Sequence, residues 1–167
     1  LLLCKLVLGI GTPDAPEWLT YEACTDETTA DNIPGGLHSR TVTESGHTVF
    51  ADTFPAALPE RDAYRGAAVV HIHADAPGLH VRFGCGNIAF MHHSPNAVMK
   101  GAGIDCEEGA AVLSDDGQTV TITHADRDFI TCVRGGFTFR VMQKTPSGSF
   151  AEGYTDESDA YLVLGFS

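Results

Sequence analysis

The chain has 167 residues, 43% of them hydrophobic and 19% charged, and a formal net charge of −12. That balance excludes a disordered chain and fits one globular β-rich domain over residues 1–167, long enough for a sizeable core. The negative charge repels phosphate backbones and anionic headgroups, so nucleic acid is not an expected partner.

The first ten residues, LLLCKLVLGI, form the longest apolar run. The run is too short for a membrane-spanning helix, which needs about 20 residues. It reads as a structural strand, either in the chain's own core or donated to a neighbouring subunit; the competing reading is the remnant of a targeting segment. Residues 11–36 are acidic, Thr-rich and bracketed by Pro. They read as a long acidic loop with one short element around residues 18–24.

Residues 41–54 (TVTESGHTVFADTF) alternate as two strands about Ser45-Gly46. Residues 55–65 (PAALPERDAYR) hold the one helical signal, with Pro59 near a start. Residues 69–83 (VVHIHADAPGLHVRF) read as a hairpin turning at Ala76-Pro77 or Pro77-Gly78. Alternate residues of a strand share a face. In either register Val70, Ile72, Leu79 and Val81 take one face, and His71, His73, Asp75, His80 and Arg82 take the other.

That face raises a metal site. His-x-His on one strand, with a third imidazole about 5 Å away across a hairpin, is a ligand set for Zn²⁺ or Cu²⁺ with one position open. His71, His73 and His80 are the candidate ligands. His92-His93 follow, and at most one of them would join, because adjacent strand residues point oppositely. Arg82 on the same face opposes a cation, so the competing reading is a solvated or interface-forming polar face.

Residues 110–123 (AAVLSDDGQTVTIT) form a hairpin about Asp115-Asp116-Gly117. Residues 129–142 (FITCVRGGFTFRVM) form another about Gly135-Gly136, and residues 160–166 (AYLVLGF) close as a strand. Eight to ten short strands with little helix define an all-β, antiparallel β-sandwich or partly closed barrel.

Five cysteines (Cys4, Cys24, Cys85, Cys106 and Cys132) occur without a CxxC. They read as two disulfides and one remaining thiol, which implies an extracellular or otherwise oxidising compartment. Cys85 continues the apolar face of Val81 and Phe83. A Gly135-Gly136 turn would put Cys132 opposite Phe139 on another apolar face. Cys85–Cys132 is thus a candidate bridge between sheets, worth roughly 3–4 kcal/mol.

GxSxG, Walker, dinucleotide and HExxH motifs are absent from the sequence. The paired carboxylates Asp115-Asp116 and Asp126/Asp128 fall at turns, where Asp caps backbone groups. The expectation is a non-catalytic binding or assembly module: an acidic, disulfide-stabilised β-sandwich that contacts a protein partner or self-assembles. The alternative is a metal-binding protein or small metalloenzyme using His71, His73 and His80.

Overall fold

Strands dominate because β-branched and aromatic residues alternate with polar ones along most of the chain. The computed structural model describes residues 5–19, 29–56, 66–86, 110–124, 127–145 and 148–166. Their strands are β1 (Lys5–Thr12), β2 (Ala15–Trp18), β3 (Thr29–Ile33), β4 (Gly36–Val42), β5 (Thr48–Ala56) and β6 (Gly66–Ala74). Then follow β7 (Leu79–Gly86), β8 (Ala110–Leu113), β9 (Thr119–His124), β10 (Arg127–Gly135), β11 (Thr138–Thr145), β12 (Gly148–Thr155) and β13 (Asp159–Phe166). The described residues contain no helix, and so none long and apolar enough to cross a membrane.

Two antiparallel sheets result. One has five strands in the order β11-β12-β7-β1-β2; the other has eight in the order β3-β4-β5-β6-β13-β10-β9-β8. Neither closes into a barrel. The inner faces meet in one apolar core. Ile10, Leu79, Val81 and Phe139 come from the smaller sheet, and Val49, Val70, Ile72, Val120 and Leu162 from the larger. Phe137, on the crossing from β10 to β11, is also fully buried there. This is the layering of a β-sandwich, whose sheets pack about 10 Å apart.

Several expectations hold. β4 and β5 form the hairpin about Ser45-Gly46, with Val42 opposite Thr48 and Gly46 at φ 89°. β8 and β9 form the hairpin that turns through Gly117 at φ 69°. β13 is the strand expected over residues 160–166. β1 lies in the chain's own sheet between β7 and β2, with Ile10 in the core. Others do not. The expected loop at 11–36 carries β2 and β3, and the described residues hold thirteen strands rather than eight to ten. The helical signal at 55–65 falls on the end of β5 and then on residues 57–65, which lie outside the described residues.

The hairpins expected at 69–83 and 129–142 are corrected. β6 pairs with β5 and β13 in the larger sheet, whereas β7 pairs with β1 and β12 in the smaller. The chain therefore crosses between sheets at residues 75–78. Likewise β10 pairs with β9 and β13, β11 pairs with β12, and the crossing runs through Gly136-Phe137. The physical reason is simple. Alternation fixes which face of a strand is apolar, and two strands can bury those faces side by side or across a sandwich.

The first crossing is anchored on both sides. Ala74 N–H donates to Ser158 O at 2.8 Å, Gly78 N–H to Glu157 O at 3.2 Å, and Gly11 N–H to Gly78 O at 2.9 Å. Gly78 has φ 94°, and a Cβ there would collide with the Gly11 carbonyl oxygen. Only glycine fits that place.

Candidate functional site

The core occupies the inner faces, and among the described residues the histidines and the carboxylates and arginines that contact them or each other lie on the outer faces. On the larger sheet, buried Val70 and Ile72 alternate with outward His71 and His73. Cross-strand register sets Asp52 of β5 and Tyr161 of β13 on either side of His71. It sets Phe50 and Asp159 on either side of His73.

The rings stack in a row across four strands. Tyr161 lies on His71 (centroids 4.3 Å, 9° between planes), His71 on His73 (5.1 Å, 28°) and His73 on Phe50 (4.6 Å, 8°). His38 of β4 follows, tilted by 32° at 5.8 Å from Phe50. Carboxylates bind the row together. His38 Nδ1 donates to Asp52 Oδ1 at 2.5 Å, and His71 Nε2 to Asp159 Oδ2 at 2.9 Å. The second ring nitrogen of His71 stands 3.9 Å from Asp52 Oδ2. At one end Asp75 accepts from Thr48 N–H at 2.9 Å and from His47 Nδ1 at 3.3 Å. On the same face Tyr161, Val163 and Phe54 stay exposed.

On the outer face of the smaller sheet, His80 and Glu152 are covered by their neighbours. Trp18, opposite Gly9, meets the His80 ring edge-on at 5.8 Å, and Tyr154 covers His80 from β12 at 4.8 Å. The Arg82 guanidinium lies 4.1 Å from the Trp18 ring centre. In the next row Glu152 is buried between two arginines. Arg82 Nε donates to its Oε1 at 2.8 Å, and Arg140 donates to Oε2 from Nε at 3.0 Å and from the terminal amine at 2.6 Å. Burial alone would raise the Glu152 pKa, but these hydrogen bonds and charges outweigh it and hold it below the usual carboxylate range. His80 is lowered by burial, partly offset by its hydrogen bond to the Gly11 carbonyl oxygen at 3.2 Å.

The expected metal triad is therefore not assembled. His71 and His73 are neighbours on the larger sheet, and His80 lies on the opposite outer face, with the core between them. Among the described residues no group of three or more His, Cys, Asp or Glu side chains forms a metal-ion ligand set. His92 and His93 lie outside the described residues, as do Cys4, Cys24 and Cys106. Cys85 pairs with Ser149 on one sheet, and Cys132 with Gly165 and Thr121 on the other. Cys132 is thus not opposite Phe139, as a Gly135-Gly136 hairpin would have it; the two thiols themselves lie outside what the structure describes.

Sequence reasoning missed two features. His38 meets Asp52 because the Ser45-Gly46 hairpin continues past residue 41; extending its register by three residues would have found the pair. Glu152 with Arg82 had no local signal, because β7 and β12 are joined only by the sheet, whereas Arg140 faces Glu152 across the β11–β12 hairpin, whose register shifts between Met142 and Thr145.

The described residues form an antiparallel β-sandwich in which His80 and Glu152 are covered on the outer face of the smaller sheet, and stacked histidine and aromatic rings lie on the outer face of the larger. No protein-family model matches the chain, and no curated protein matches it in sequence.

Proposed function

We propose that the chain is a non-catalytic binding or assembly module that docks a protein partner on the outer face of its eight-stranded sheet. The contrast between the two outer faces carries this reading. Trp18 and Tyr154 close over the buried polar groups of one face, while Tyr161, Val163 and Phe54 stand exposed on the other. Single exposed apolar residues are ordinary on any protein. Here Val163, Val69 and Phe54 form one cross-strand row beside the stacked rings. Aromatic side chains braced in this way lose little freedom on contact, and such residues supply most interface energy.

The test compares capture by three immobilised full chains: wild type, a Val163→Asp/Phe54→Asp variant, and a Thr138→Asp control on the smaller sheet. A protein held by wild type and control but lost from the double variant supports the reading. A partner retained by all three, or lost only from the control, overturns it. So does failure of the wild type both to capture a protein and to self-associate in sedimentation.

A further inference from the structure

Residues directly opposite each other on neighbouring strands share a face of the sheet. One such row on the outer face of the larger sheet runs through Asp31 (β3), His38 (β4), Asp52 (β5), His71 (β6) and Tyr161 (β13). Its first four members alternate carboxylate and imidazole. On one side lies the row Arg40, Phe50, His73 and Asp159. On the other side lies an apolar row: Ile33 opposite Gly36, then Phe54, Val69 and Val163. A Cβ on Gly36 would meet the Phe54 ring at 2.8 Å, so that ring packs on the glycine.

Every acidic or basic side chain of β3 to β6 and β13 stands in the first two of these rows. His38 has Asp31 on one flanking strand and Asp52 on the other. His71 faces Asp52 on β5, and Tyr161 and Asp159 on β13. His73 lies between Phe50 and Asp159. Beyond the rows, His47 meets Asp75 at one end, and Arg134 of β10 stands opposite Val163. Imidazole is the side chain whose ordinary chemistry changes its charge between about pH 8 and pH 5. While the imidazoles are neutral, Asp31, Asp52 and Asp159 face Arg40 alone on these strands, in a chain of net charge −12, and two such faces repel. Once His38, His71 and His73 are charged, four cations on these strands face three carboxylates.

The charged row is self-complementary. A two-fold axis running along the strands between β4 and β5 reverses its order. Asp31 of one copy then meets His71 of the second copy, and His38 meets Asp52, each contact occurring twice. All of these meetings join opposite charges. In the apolar row the same axis sets Val69 against Ile33 and Phe54 against Gly36. In the remaining row it sets Arg40 against Phe50 and His73 against Thr29, so no like charges meet. We propose that mild acidification pairs two copies of this chain face to face through the Asp31–His38–Asp52–His71 row, and that neutral pH keeps them apart. The proposal rests on the outer face of the larger sheet being the docking surface, and it names a second copy as the partner.

Sedimentation of the full-length chain at about pH 7.5 and about pH 5.5, toward the two ends of the imidazole range, tests this. Wild type sediments as a monomer at the higher pH and as a dimer at the lower. His38→Gln/His71→Gln, whose row cannot gain charge, stays monomeric at both. Asp31→Asn and Asp115→Asn each remove one negative charge, the first from the row and the second from the β8–β9 turn. Asp31→Asn weakens the acid dimer by about tenfold, because the two-fold counts each lost ion pair twice. Asp115→Asn does not weaken it. If acidification merely relieved net charge, both would strengthen the dimer alike, and that result overturns the proposal. So does a wild type that is monomeric at both pH values or dimeric at both, or an acid dimer that survives His38→Gln/His71→Gln. Should the double variant fail to fold, the comparison of Asp31→Asn with Asp115→Asn decides alone. If wild type stays monomeric at both pH values while Val163→Asp/Phe54→Asp still releases a captured partner, the docking surface stands and the acid-driven pairing falls.

Discussion

His80 and Glu152 place two buried titrations on the outer side of the smaller sheet, and each has a definite sign. His80 takes its proton less readily folded than unfolded, because burial disfavours the imidazolium. Its contribution is complete above the unfolded value near pH 6.5 and declines as pH falls from there toward the folded value, at most about 1.4 kcal/mol per pH unit. Denaturant midpoints measured between neutral and mildly acidic pH should fall less for His80→Gln than for wild type. Parallel curves would contradict the burial argument.

Glu152 is depressed, so its contribution holds above the ordinary carboxylate value and is lost as pH drops below it. Glu152→Ala removes the acceptor shared by two guanidiniums. The expected loss is about 2–3 kcal/mol in urea unfolding, below the figure for a fully buried pair because the Arg140 side chain is 66% exposed. Glu152→Gln, which keeps the shape and part of the hydrogen bonding, should cost less.

At the scale of elements, the sequence identified strands and faces better than partners. Val70 and Ile72 alternate with His71 and His73, and that alone predicts which side faces the core. Nothing in residues 69–83 distinguishes a hairpin from a crossing, because Pro77-Gly78 suits either. The deciding contacts come from Glu157, Ser158 and Gly11, remote in sequence. The metal triad failed for this reason: it needed His80 beside His73, and the crossing separates them. The hairpins through Gly46 and Gly117 were legible because turn and register are local. The glycines can be ranked by the same logic. Gly117→Ala meets open space and only the cost of its φ of 69°, about 1 kcal/mol. Gly78→Ala adds a backbone collision to its φ of 94° and should cost about 2 kcal/mol or more. Thermal unfolding of the two variants checks the order; equal losses would mean that the crossing yields freely.

For the whole molecule, 22 acids against 10 bases make self-repulsion the dominant long-range electrostatic effect at neutral pH. Adding sodium chloride should raise the melting temperature, since the Debye length shrinks from about 30 Å at 0.01 M to about 8 Å at 0.15 M. A melting temperature that falls on adding salt would mean that local pairs such as Glu152 with its arginines outweigh the net charge.

The crossings also decide when each strand of the growing polypeptide finds its neighbour. β6 is complete at Ala74, yet the strand that covers one of its edges begins at Asp159. Translation at about 5–20 residues per second leaves that edge waiting on the order of ten seconds. An unsatisfied edge is a template for a second nascent chain. His71 and His73, set along β6 with Asp52 beside them, put polar groups on the strand exposed longest, and polar residues on an edge deter such pairing. β7 waits likewise, since Val81 pairs with Leu8, which is already made, and with Gly153 only after β8 to β11 have followed. Such remote pairings set a high contact order, so refolding should occupy milliseconds to seconds rather than microseconds.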